Sequence, residues 1–192
     1  MSASAISKTL IGSLVVSFLL VVQCANGATI TRDDHYPFYT PGLVQYVAAK
    51  GVFPAVVVAN PFGAGADGAL LAHMELPGNF PPAPFAATTA QARDDGHLVI
   101  VFNPILASSG HGACARPGRQ TAPASPSNAT MRLQIAFCYD HEVVSEAFME
   151  MPRPTGPDDR AFGQAMAQLL MVLLPSESPN RGDCRDPSTN NC

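Results

Sequence analysis

Tryptophan is missing from the 192 residues and tyrosine occurs only four times. That removes the flat aromatic platform on which a carbohydrate binder stacks its sugars. Basic side chains are scarce as well. Lys8 is the one basic residue among the first 27, so ten of the eleven Lys and Arg remain beyond it against fifteen Asp and Glu, a net charge of −5. Such a chain has no electrostatic reason to bind nucleic acid or an anionic membrane. No G-x-S-x-G nucleophile elbow occurs. After the first 27 residues, no run approaches the roughly 18 apolar residues that a membrane helix needs.

The N-terminus is where the apolar residues concentrate. Lys8 gives a short basic start, Leu10 to Val22 (LIGSLVVSFLLVV) an apolar core, and CANGA a small-residue end. That is the layout of a secretory signal, with cleavage after Gly27, and the core is too short for a comfortable span. Cys24 supports a rival reading. A cysteine just behind the apolar core is where bacterial lipoproteins are cut and acylated, although Gln23 stands where a small residue is usual. An uncleaved anchor is the third alternative. The expected organisation is a signal peptide over 1–27, one globular domain over 28–175 and a disordered polar tail over 176–192. Roughly 150 residues suit one domain with a real core.

Export decides how the cysteines are read. Setting Cys24 aside, Cys114, Cys138, Cys184 and Cys192 form an even set in an oxidising compartment. Of three connectivities, Cys114–Cys138 with Cys184–Cys192 is the simplest. The competing reading joins His111-x₂-Cys114 to Cys138-x₂-His141, since two thiolates and two imidazoles suit tetrahedral zinc. Oxidation turns the same thiols into a disulfide, so the disulfide is preferred and no cofactor is expected.

Along the mature chain, Thr40-Pro41 opens a helix with Leu43, Val44 and Val47 on one face. Ala55 to Ala59 reads as a buried strand, Asp67 caps a second helix, and four prolines between Pro77 and Pro84 demand loop. His97 to Asn103 is a second buried strand. Residues 104–130 read as a long loop, and Met131 to Cys138 as a strand with one core face. A turn at YDHE returns into Val143 to Met149. Phe162, Ala165, Met166, Leu169, Leu170 and Leu173 recur at helical spacing. Asp158 and Asp159 sit at that helix's start, where its dipole favours negative charge. The fold class is therefore α/β or α+β: a small two-layer sandwich of about four strands with helices packed on the sheet. The first two strands are expected to be parallel.

The pieces VVVANPFG, LVIVFNP, AFC and PDDRAFGQAMAQLLMVLLP resemble a group of small uncharacterised exported proteins, often lipoproteins, of proteobacteria. The resemblance covers about residues 52 to 175. It implies an exported single domain and favours acylation of Cys24, and it brings no activity and no site residue.

Other motifs have plain explanations. Gly63-Ala64-Gly65-Ala66-Asp67-Gly68 matches the dinucleotide fingerprint, yet Asn60-Pro61-Phe62 displaces its turn and the region that should bear a ribose-binding acid is PGNFPPAP. VVVANP and VIVFNP end alike, so parallel strands would bring Asn60 and Asn103 together where open α/β sheets bind ligands. Asn-Pro is also a turn starter, and that reading is preferred because turn use needs no partner. Ser108, Ser109 and His111 are adjacent in sequence, which is not a triad. Arg181-Gly182-Asp183 and the Asn128-Ala129-Thr130 acceptor are short matches of the kind that arise by chance. Three functions follow, in order: an exported, disulfide-stabilised binding or structural module of the cell envelope; a periplasmic metal-binding protein using the His/Cys set; and a small enzyme with its site at the strand ends of Asn60, the Gly63–Gly68 loop and Asn103, where Asn60, Gly63, Gly65 and Asn103 would contact a ligand. A membrane would be met only through the N-terminal lipid or anchor.

Overall fold

The structure, a computed structural model, describes residues 27–63, 65–88, 96–122 and 129–179. The signal-peptide boundary, Cys24, Cys184, Cys192, Asn128 and Arg181 to Asp183 fall outside these residues, apart from Gly27 itself.

The chain folds as one mixed sheet with helices. Its elements are β1 (Thr29–His35), α1 (Pro41–Ala48), β2 (Phe53–Val58), α2 (Asp67–Ala72), β3 (Phe85–Ala87), β4 (His97–Phe102), α3 (Gly110–Ala115), β5 (Thr130–Tyr139), β6 (Glu142–Pro152) and α4 (Arg160–Leu173). The sheet order is β1-β6-β5-β4-β2-β3. β2 is parallel to β3 and β4, and the remaining pairs are antiparallel. The α+β class and the parallel pairing of the first two expected strands hold. The four-strand sandwich does not, because the sheet has six.

Both added strands lie at sheet edges, where the apolar pattern fades. β1 reads TITRDDH and is mostly exposed. Charged side chains on such an edge discourage pairing with another chain, and they also erase the strand's sequence signature. β3 has only three residues and follows the proline loop. Phe85 nevertheless pairs with Phe53, their rings 5.4 Å apart. Part of the expected loop over 104–130 is also ordered into α3 and a 3₁₀ turn at Pro117–Arg119.

Strand alternation sends two side-chain sets to opposite faces. On one face, Leu98, Ile100 and Phe102 of β4 and Met131, Leu133, Ile135 and Phe137 of β5 meet α1, α2 and α4 in the main core. α4 lays Phe162, Ala165, Met166, Leu169, Leu170 and Leu173 on that face, each large side chain contributing roughly 1.5–3 kcal/mol. Asp159 is its N-cap, its carboxylate accepting from Ala161 N at 2.9 Å and from Thr155. At the other end, side chains meet the last carbonyls. Ser145 Oγ donates to Leu173 O at 2.8 Å, Tyr39 Oη to Pro175 O at 2.7 Å, and His35 Nε2 lies 3.0 Å from Val172 O.

Two helix starts differ from expectation. Thr40 occupies the N-cap of α1 but its side chain caps nothing. Asp67 is the first residue of α2 rather than its cap, and its Oδ1 accepts from Asn60 Nδ2. Past residue 175, Ser178 Oγ donates to Tyr39 O at 3.1 Å, tying the start of the expected tail to the domain.

Candidate functional site

The second face is where the chemistry-bearing residues gather. Val56, Val99, Val101, Ala136 and Cys138 form a small apolar patch with Ala113, Cys114 and Val143. α3 covers part of it. Its sequence, GHGACA, is a poor helix former, and three devices hold it. Ser109 Oγ accepts from Gly112 N. Gly110 allows close approach, since a Cβ there would lie 2.4 Å from Val143 Cγ2. Cys114 is bonded to Cys138, with the sulfurs 2.00 Å apart, the Cα atoms 5.7 Å apart and both residues fully buried.

That bond changes what the His/Cys set offers. The two sulfurs share a bond, so neither is a thiolate. His111 stands on the exposed side of α3, its ring edge-on to Tyr36 at 5.1 Å. His141 shares the β5–β6 turn with Asp140, at φ 66° and 48°. Both positive values are what a two-residue type I′ hairpin requires. Among the described residues, no group of three or more His, Cys, Asp or Glu is gathered for a metal.

Beside the disulfide runs a polar network that sequence reading missed. Glu146 of β6 is almost fully buried. Its Oε1 accepts from Tyr36 Oη at 3.2 Å; its Oε2 accepts from Arg32 Nη2 and from Gln134 Nε2, each at 3.2 Å. Ser108 Oγ donates to Gln134 Oε1. Arg32 also pairs with Asp34 at 3.2 Å and reaches Ser108 O at 3.5 Å. Burial, reinforced by the Glu146 charge and hydrogen bond and by Asp34, pushes the Tyr36 phenol up to about 12 against the pull of Arg32. Tyr36 therefore stays a neutral donor. The one advance signal was Glu146 itself, a carboxylate amid apolar strand residues, which must be paired if buried.

Both oxygens of Glu146 are occupied, so this network holds edge strand, loop and sheet together. Neither Ser108 nor Ser109 meets His111 through its hydroxyl. His111 Nδ1 lies 3.5 Å from Tyr36 Oη and Nε2 4.0 Å from Glu142.

Asn60 and Asn103 follow β2 and β4, at the strand ends where the sequence puts them. Val58 pairs with Val101, so two residues farther on both asparagines sit at the carboxyl ends of parallel neighbours. Asn60 nevertheless serves its own turn: its Oδ1 accepts from Phe62 N at 3.0 Å and its Nδ2 donates to Asp67 Oδ1 at 2.7 Å. That is the turn role of an Asn-Pro step. Asn103 takes a left-handed φ of 49°, which asparagine tolerates. Phe62 lies edgewise against Phe102 and Phe162, over the end of the core. Gly63 and Gly65 have φ of 110° and 85°, so backbone conformation alone requires glycine there.

Compared with known proteins, the chain matches no family model, no curated protein and no solved structure.

Proposed function

We propose that the protein is an exported, disulfide-fastened binding or structural module of the cell envelope. The observation that carries this reading is the Cys114–Cys138 bond, which joins residues 24 apart and pins α3 to β5. A bond of that kind persists in oxidising compartments and is rare in the cytosol. The signal-like N-terminus and the resemblance to exported proteins support the same compartment. The internal engagement of Asn60, Ser108, Ser109 and Glu146 supports a holding role over a catalytic one.

Intact-mass analysis of the protein purified from its native host tests this. The expected mature chain starts at Ala28, or at an acylated Cys24, and gains two protons for each disulfide when reduced. A chain that keeps free Cys114 and Cys138 and carries zinc in native spray overturns the reading in favour of metal binding.

A further inference from the structure

The second face continues past the polar network into an open cleft of about 160 Å³. Its floor is set by strand register. Phe148 of β6 lies between Arg32 of β1 and Gln134 of β5, and one row along, Glu150 lies directly opposite Arg132. Ile105 and Leu106 form the wall, with Leu106 92% exposed. The exposed Leu106 and the half-buried Phe148, one face of whose ring Arg32 overlies, give the cleft a small apolar lining.

The charges around this cleft fall into two classes. Arg32 is spoken for: Glu146 and Asp34 pair with it, and its guanidinium lies 3.9 Å over the Phe148 ring, fixing that ring as a wall. Arg132 and Glu150 are cross-strand partners, close enough for their side chains to serve one small ligand. Among the described residues neither side chain makes an ion pair. The cleft thus offers one cation, one anion and an apolar pocket. A bare anion would be opposed by Glu150 and a bare cation by Arg132. A ligand carrying both charges on one carbon, with an apolar substituent, satisfies all three features.

We propose that this cleft binds a free α-amino acid with an apolar side chain. Its carboxylate pairs with Arg132, its ammonium with Glu150, and its side chain rests on Phe148 between Ile105 and Leu106. The volume sets the size: a cavity of about 150 Å³ holds a benzene ring, so the cleft of about 160 Å³ has room for a leucine or phenylalanine side chain. This assignment rests on the binding half of the function proposed above and names its ligand class.

The test is an amide-resolved NMR titration of the oxidised protein with L-leucine and L-phenylalanine. N-acetyl-L-leucine, lacking the ammonium, and L-leucinamide, lacking the carboxylate, are run beside them. Saturable shifts are expected around Leu106, Arg132, Phe148 and Glu150, with Kd below about 1 mM. Each blocked analogue should bind at least roughly tenfold more weakly. Arg132→Gln should abolish the preference for leucine over leucinamide, and Glu150→Gln that over N-acetyl-leucine. Leu106→Ser, at a position too exposed to matter for folding, should weaken all ligands alike. No saturation by about 10 mM, or equal binding of the blocked analogues, overturns the assignment. Either result leaves the mass measurement of disulfide and N-terminus untouched, so the two readings fail separately.

Discussion

Phe137 and Cys138 are neighbours in β5 that point to opposite sides of the sheet, and the two sides are held by different means. Phe137 enters a continuous apolar core under α1, α2 and α4, 5.8 Å from the ring of Phe53. Cys138 enters a patch of eight buried residues under a six-residue helix. Area burial suffices on the first side. On the second it is supplemented by a covalent bond, a buried carboxylate network and glycines that let backbone approach side chain. A small domain that cannot bury enough on a face must fasten it.

The contrast predicts unequal responses to damage at these adjacent positions. Phe137→Ala should destabilise the whole domain by about 3–5 kcal/mol, read from urea unfolding, because it opens a cavity in the close-packed core. Loss should be uniform across slowly exchanging amides of β4, β5 and α4. Replacing both Cys114 and Cys138 by Ala should cost roughly 3 kcal/mol, from the entropy of the freed loop. Here hydrogen exchange should speed first in α3 and the 3₁₀ turn while α4 stays protected. If α4 loosens as much as α3, the two faces are not separately held and the comparison fails.

Legibility in the sequence followed the same division. α4 and the inner strands β4 and β5 were visible because a deep apolar core imposes a clean period on the residues that line it. The partnership of Cys114 with Cys138 was visible because, for a chain expected to be exported, an oxidising compartment leaves few choices. β1 was hidden because an edge strand needs only one inward residue, here Ile30, and otherwise displays charge. α3 was hidden because its glycines serve close approach, a tertiary need that overrides propensity. The network around Glu146 was hidden for a similar reason. Arg32, Tyr36, Ser108, Gln134 and Glu146 are scattered over more than a hundred positions, and only the sheet order brings them together. The parallel pairing of β2 and β4 sets Asn60 and Asn103 at neighbouring strand ends, and the hydrogen bonds of Asn60 agree with the turn role that the Asn-Pro step suggested.

A smaller effect probes the fit of α3. A Cβ on Gly110 would meet Val143 Cγ2 at 2.4 Å and Glu146 Cδ at 3.1 Å. Val143 is a short branched side chain on a buried strand and cannot swing aside. Gly110→Ala should therefore destabilise by about 1–3 kcal/mol through overpacking, despite alanine's better helix propensity. The unfolding midpoint in urea measures it, and a stabilised variant would mean that α3 rides more loosely over the sheet.

The smallest effect has the opposite sign and comes from the glycine of α4. Gly163 lies inside a 14-residue helix, and a Cβ added there finds nothing within 4 Å. Its φ is not in the left-handed region, so no backbone requirement calls for glycine. Alanine restricts the unfolded chain and favours the helix without meeting a neighbour. Gly163→Ala should raise stability by about 0.5–1 kcal/mol, a shift of about 1–4 °C in the thermal midpoint of a domain this size. The same substitution thus separates the faces by sign. Over the apolar core, helix and sheet meet through side chains, leaving glycine on the helix surface as a cost. Over the fastened face, backbone meets side chain directly, and glycine is what permits the contact.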